Sequence, residues 1–345
     1  MFKKLLTTFI LFVAIAKISI SQHQPNNGMQ MIPTPQNWCA SDDINQEYIQ
    51  TIVNRNNQIS PTNVSNGFIA KELPKITSFL PSPSSFGPGS GKASLRTIPI
   101  VVHVVHNTSN PAENVSDALI FDMINILNET FRAQNANISN VRPIFQPDTA
   151  DTHIEFCLAS KDPFGAATTG ITRTVTTEDW YDKDSGETNK MKDNATGGKS
   201  GWPSTDYLNI WICNISNGAG FGVAGYAYLP TLGMHGSSID GLVLDYDIGI
   251  GFGNTTATHE IGHYMGLNHT WGPSESCGND DGFADTPQTQ GPSFNFGGSC
   301  SGSQQTCGST ETMYENYMDY SNCSVMFTQN QADYMVGILQ GLRGS

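Results

Sequence analysis

Three of the chain's eight histidines and a glutamate fall in one short string, His259-Glu260-x-x-His263-x-x-Gly266-x-x-His269. His259 and His263 are four apart, so on a helix they project from the same face, one turn from each other. Two imidazoles so placed can meet one metal ion at about 2.0–2.1 Å. Glu260 lies beside them but points elsewhere, close to the ion without ligating it, which is the place of a general base. Gly266 allows a backbone turn that a Cβ would resist, and His269 arrives after it as a third ligand. Three protein ligands leave the fourth position open, the mark of a catalytic rather than a structural zinc. The string therefore predicts hydrolysis. Zinc-bound water, its pKa lowered toward about 7, gives a proton to Glu260 and attacks a carbonyl polarised by zinc; Glu260 then passes the proton to the leaving amine. A bare His-Glu-x-x-His occurs by accident in many helices, and Gly266 with His269 makes the signal specific. His23, His103, His106, His153 and His235 read as structural or solvent-facing.

The elements that must hold this string are legible around it. A β-branched run at 98–105 predicts a buried strand. Ser116 or Asp117 caps an amphipathic helix that carries Ile120, Met123, Ile124, Leu127 and Phe131 on one side. Strand-like segments follow at 153–159, 208–215 and 241–246. The zinc helix is expected from near Thr255 to Gly266. Residues 225–229 could form a rim strand that pairs with an extended substrate. From 270 to 325 the chain is loop-rich, and a last amphipathic helix is expected over 329–342. Strands and helices followed by an irregular half suggest an α/β upper subdomain, a lower one, and a cleft between them.

Composition sets the context. The 345 residues are 38% hydrophobic and 14% charged, enough for one large domain or two smaller ones. A net charge of −14 makes nucleic acid an unsuitable partner and fits a soluble exported protein. Lys3 and Lys4, an apolar stretch at 5–16 and Ser19-Ile20-Ser21 read as a signal peptide over residues 1–21. No later stretch is apolar and long enough to span a bilayer, so no stable membrane association is expected. Residues 22–80 are polar and Asn/Gln-rich, and 81–91 is a Pro/Gly/Ser linker open to proteolytic nicking. Seven cysteines suit an oxidising compartment. Cys157 and Cys213 sit in strand-like segments and could pair if those strands are neighbours. Cys277, Cys300, Cys307 and Cys323 cluster late, and four cysteines allow three connectivities.

The string at 259–269, with Asn316-Tyr317-Met318-Asp319-Tyr320 as a methionine-containing turn, resembles the metzincin clan of zinc endopeptidases. His269-Thr-Trp-Gly272, Asp285-Thr-Pro287, residues 316–321 and Met326-Phe-Thr328 are similar to the pappalysin family, in its single-domain secreted branch. So are the early segments 98–103, 162–165 and 170–173, and the likeness covers about residues 96–345. It implies an α+β metzincin catalytic domain at 96–345: a twisted mixed sheet with active-site and backing helices in an upper subdomain (96–269), and an irregular disulfide-stapled lower subdomain (270–345). Residues 22–95 would be pro-segment and linker. His259, His263 and His269 would hold zinc, Glu260 would be the base, Met318 the hydrophobic floor, and Tyr320 a donor to the transition state. The resemblance implies disulfides Cys277–Cys307 and Cys300–Cys323. It also implies calcium at Asp280, Asp281, Asp285 and Thr286, where closely spaced oxygens and glycines suit that ion. Cys39 would be a latency switch, its thiolate filling the open zinc position until a cut within 81–96, at Arg96 for example, releases it.

The function expected is a secreted zinc-dependent endopeptidase, made as a zymogen and acting on protein or peptide substrates. The alternative is a secreted binding or adhesion protein with an inactive protease-like fold, against which the intact Glu260 argues. A metal-dependent amidase acting on a small or cell-wall peptide is a third reading.

Overall fold

The computed structural model describes residue 82 and residues 94–215, 223–231, 233–293, 300–304, 306–308 and 311–343. The signal segment, Cys39 and nearly all of the segment 22–95 lie outside the described residues.

Strand β1 (Arg96–Asn107) is the spine of a six-stranded sheet. Its Val/Ile-rich run is buried on both faces, as a parallel strand covered on each side must be. On one flank its first half pairs in parallel with β2 (Ile154–Leu158) and its second half with β3 (Ile171–Thr176). On the other flank lies β4 (Leu208–Cys213), then β6 (Leu242–Asp245), both parallel. Only β5 (Gly225–Ala227) runs antiparallel, at the end of the order β2-β1-β4-β6-β5. The sheet is therefore mixed, and β5 is the rim strand expected near 225–229.

Helix α1 (Asp117–Phe131) starts where Ser116 Oγ accepts from Leu119 N–H, and it buries the predicted face of Ile120, Met123, Ile124, Leu127 and Phe131. Its Asn128 side chain bonds both the N–H and the C=O of Phe156, covering the outer edge of β2. Helices α2 (Thr256–Tyr264) and α3 (Gln329–Gln340) pack with α1 against the same sheet face in one core that includes Ile261, Met318, Met335 and Ile338. The opposite face carries a second core around Trp211, Tyr226, Tyr228 and Met191. Beyond residue 270, α3 is the one α-helix among the described residues, and the loops are joined by disulfides Cys277–Cys307 and Cys300–Cys323.

Cys157 and Cys213 are not bonded. Strand β1 lies between their strands, a separation of roughly 9–10 Å across the sheet. Cys157 is level with Pro99, whereas Cys213 lies one residue beyond Ile212, which is level with Val104. The two are thus offset by roughly 20 Å along the strands as well, far outside disulfide reach.

Candidate metal centre and active site

Helix α2 is short and rich in Thr, His and Gly, so its stability comes from burial: every residue from Ala257 to Tyr264 is buried. It presents His259 and His263 together, and Gly266, at φ +90°, turns the chain so that His269 faces them. The three Nε2 atoms lie 3.1–3.2 Å from one another. A tetrahedral ion with bonds of about 2.0–2.1 Å holds its donors roughly 3.3 Å apart. Two tautomers are set by the backbone. His259 Nδ1–H donates to Tyr317 O at 2.6 Å, and His263 Nδ1–H donates to Leu267 O at 2.8 Å. Each of those rings therefore turns a bare lone pair toward the centre, an arrangement that suits a cation. Burial, then the adjacent His269, push the His259 imidazole down to about 3, so it stays neutral and able to ligate. The residues fit zinc.

Glu260 is fully buried on the next position of the helix. Strand β5 passes so close that a Cβ on Gly225 would meet the Glu260 Cγ at 3.1 Å, which places this strand beside the Glu260 side chain.

The turn beneath holds the site through its main chain. Tyr317 O accepts from His259 Nδ1–H, and Met318 O accepts from Thr270 N–H, next to His269, at 3.3 Å. The Met318 side chain is fully buried under α2, where a Cβ on Gly262 would overlap its sulfur. Asn316 Oδ1 accepts from Met318 N–H, and the Asn316 amide pairs reciprocally with that of Gln331 on α3. Just before the turn, Glu315 is clasped by Arg142, with Nε–Oε1 at 2.6 Å and Nη2–Oε2 at 3.0 Å. Tyr320 is half-buried; its ring centre lies 4.8 Å from that of His269 and 5.8 Å from that of His259. Gly262, Arg142 and Glu315 carry no signal that periodicity or motif spacing could read, since each is defined by a partner far along the chain, whereas Gln331 is legible as the last residue of a Thr328-x-x-Gln331 capping box.

Of the four calcium candidates, Asp281 is in contact with Asp280 and Thr286, while both oxygens of Asp285 accept hydrogen bonds at the start of α3. Among the described residues, the three histidines are the one group of three or more metal-ligating side chains close enough to share an ion. Asp285 instead serves the start of α3: its Oδ1 accepts from Thr328 Oγ1 at 2.9 Å and its Oδ2 from Asn330 N–H at 2.8 Å. Thr286 Oγ1 donates to Asp281 Oδ1 at 2.7 Å, and Phe283 N–H donates to the same oxygen. These bonds explain the acidic spacing as turn and cap chemistry.

Three converging histidines on one helix and the loop after it, above a methionine-bearing turn whose Tyr317 carbonyl accepts from His259, define the metzincin class of metallopeptidase folds. Within that class the chain belongs to the pappalysin family, peptidase family M43, whose profile, described as pregnancy-associated plasma protein-A, matches residues 191–340. An extracellular metalloprotease of Arthroderma otae is 34% identical over 154 residues, 39% of this chain and 52% of that protein. One from Colletotrichum graminicola is 26% identical over 274 residues, 74% of this chain and 80% of its own. The match thus spans about half the length of the first of these relatives. Among solved structures, mature mirolysin of Tannerella forsythia in complex with a cleaved peptide is 36% identical, with TM-score 0.64, over 73% of this chain and 95% of that one. The pro-form of mirolysin is 32% identical, with TM-score 0.67, over 88% of this chain and 95% of that one.

Proposed function

We propose that the chain is a secreted zinc-dependent endopeptidase made as a zymogen. The observation that carries this reading is the convergence of three imidazole nitrogens, two of them with tautomers set by backbone carbonyls, beside the buried carboxylate of Glu260. Zinc bound there would supply Lewis acidity and an acidified water. His259, His263 and His269 would hold it. Glu260 accepts the water's proton and later delivers it to the departing amine, and Tyr320 stabilises the charge that develops at the carbonyl oxygen. Strand β5, last in the sheet order, is the element with which an extended peptide would pair, in keeping with the cleaved peptide held by mirolysin.

Relatives named extracellular metalloproteases support export, and no helix among the described residues is long and apolar enough to cross a membrane. The wider match to the pro-form of mirolysin, 88% of this chain against 73% for the mature form, supports a pro-segment. Cys39 within it would supply the latency thiolate. Arg96 is already the first residue of β1 and its N–H donates to His153 O, so cleavage after Arg96 would cut into the sheet. The cut would disturb β1 least if made N-terminal to Arg96, in the linker.

Processed, zinc-loaded protein should cleave casein or gelatin, and a chelator should abolish the activity. Glu260→Ala should lower kcat by about 10²–10⁴-fold with zinc still bound. Failure of the zinc-loaded, processed protein to cut any member of a diverse peptide library would sink the reading.

A further inference from the structure

Trp271 has no place among the ligands or the proton-transfer groups, yet it touches two of the site's rings at once. Its indole lies parallel to the His269 imidazole, with centroids 4.4 Å apart and planes 14° apart. The same indole meets the Tyr320 ring edge-on, at 4.9 Å and 80°. Tyr320 meets His269 edge-on in turn, at 4.8 Å and 79°. The three rings close a triangle in which each side is a stacked or edge-to-face contact, the arrangements that aromatic quadrupoles favour.

Trp271 is only 3% exposed, so its ring is packed rather than lying on the surface. Its backbone is set as firmly. Gly272 N–H donates to His269 O at 2.8 Å, closing a turn around the tryptophan, and Gly272 has φ +75°. A Cβ on Gly272 would collide with the Asp280 backbone, so the loop lies flush against its neighbour. The backbone of Trp271 is thus set by its own turn, and its ring by burial and by contact with His269 and Tyr320. An imidazole that gives electron density to a cation becomes partly positive, and an indole face stacked on it then gains a cation–π component.

We propose that Trp271 is a positioning residue that holds the third metal ligand, His269, and the ring of Tyr320 in one fixed mutual orientation. It acts on the metal through His269 and on the reacting carbonyl through Tyr320. The kinetic half of this inference rests on the peptidase reading above; the metal-binding half does not.

The test is a set of four variants in the full, processed chain: Trp271→Leu, Trp271→Phe, Tyr320→Phe and Trp271→Leu/Tyr320→Phe. Zinc affinity is read by competition with a chromophoric chelator, ligand geometry by the visible absorption of the cobalt-substituted protein, and kcat and KM with a fluorogenic peptide. Trp271→Leu should weaken zinc about tenfold or more, shift the cobalt bands, and lower kcat about 10–100-fold with little change in KM. In the Tyr320→Phe background, with zinc saturating, the same change should cost clearly less in kcat than in the unmodified protein, because the part of its effect carried by the Tyr320 hydroxyl has already been removed and only the part through His269 is left. Trp271→Phe, which keeps a ring, should restore most of each property. If Trp271→Leu does not fold, Trp271→Phe with and without Tyr320→Phe carries the same comparison at smaller amplitude. Zinc affinity and cobalt bands like those of the unmodified protein overturn the proposal, as do kcat losses that multiply in full across the two positions. If the unmodified protein shows no peptidase activity, the proposed function fails, while zinc affinity and the cobalt spectrum still decide for or against Trp271.

Discussion

Gly262 stands inside α2, where a glycine costs about 1 kcal/mol relative to alanine. The reason for its presence is across the interface: a Cβ there would overlap the sulfur of the fully buried Met318. Two effects of opposite sign can therefore be weighed. Gly262→Ala gains up to about 1 kcal/mol of helix propensity, but forcing a methyl group into a filled core costs about 1–3 kcal/mol. With Met318 fully buried the upper part of that cost applies, and urea denaturation of the zinc-loaded protein should show a net loss of up to about 2 kcal/mol. In a Met318→Ala background the space is free, and the same substitution should turn neutral or stabilising. A loss of equal size in both backgrounds would show that the methionine is not what excludes the side chain. The residue scale is also where sequence reading reached furthest and stopped most sharply. The ligand spacing and Gly266 are local, so 259–269 disclosed them. Gly262 looked like an arbitrary position of the motif, because the atom that demands it belongs to a turn much later in the chain.

At the scale of elements, α2 must be fixed at both ends to hold two ligands on one face. Near its start, Asn254 Oδ1 accepts from Thr256 N–H at 2.7 Å, and Thr258 Oγ1 meets Thr130 Oγ1 of α1 at 3.0 Å. At its end, Arg343 Nε donates to Tyr264 O at 2.7 Å, with the guanidinium 3.3 Å from the centre of the Tyr264 ring. Arg343 Nη1 also pairs with Asp240 at 2.7 Å, with side-chain exposures of 1% and 0%. A cation at a helix C-terminus suits the helix dipole, but the larger effect is that Asp240 would be stranded without it. Arg343→Ala should cost about 3–5 kcal/mol, measured by denaturant titration of the zinc-loaded protein, and adding Asp240→Asn should return part of that. Full additivity of the two losses would refute the pairing argument. The helices and buried strands were legible because periodicity is local: β1, α1, α2 and α3 lie within a few residues of where hydrophobic spacing puts them. Strand order is not local. Cys157 and Cys213 looked like partners because both lie in strands, and only the insertion of β1 between those strands separates them. Asp285 likewise has a role that its spacing does not disclose: both its oxygens accept hydrogen bonds at the start of α3.

Over the whole molecule, the sheet separates the face that carries the three histidines from a second core in which Lys192 is 3% exposed. Its Nζ donates to Ile239 O at 2.8 Å and lies 4.7–5.5 Å from the ring centres of Trp211, Tyr226 and Tyr228. Burial drives its pKa down to about 7, against an upward pull from Asp240. An unfolded chain returns the ammonium to its ordinary value of about 10.4. Between those two values the unfolded state holds a proton that the folded state has released, so folding stability rises with pH. Below about 7 both states are charged, and this contribution is flat. The slope between the limits approaches 1.4 kcal/mol per pH unit, so stability should gain about 2 kcal/mol from pH 7 to pH 9 through this one group. Lys192→Met keeps the apolar stem and removes the titration. Urea denaturation of both proteins at pH 6, 7 and 9, with zinc present, isolates the term, because every other titrating group is common to the two. The buried Cys213 thiol, whose pKa is pushed up by burial, works in the opposite direction above its ordinary value of about 8.5, and it too is shared. The stability difference between the proteins should hold constant from pH 6 to 7 and then move by about 2 kcal/mol in favour of the lysine by pH 9. Parallel pH profiles would mean that Lys192 keeps its proton in the folded state, and that the three rings and Ile239 O offset its burial in full.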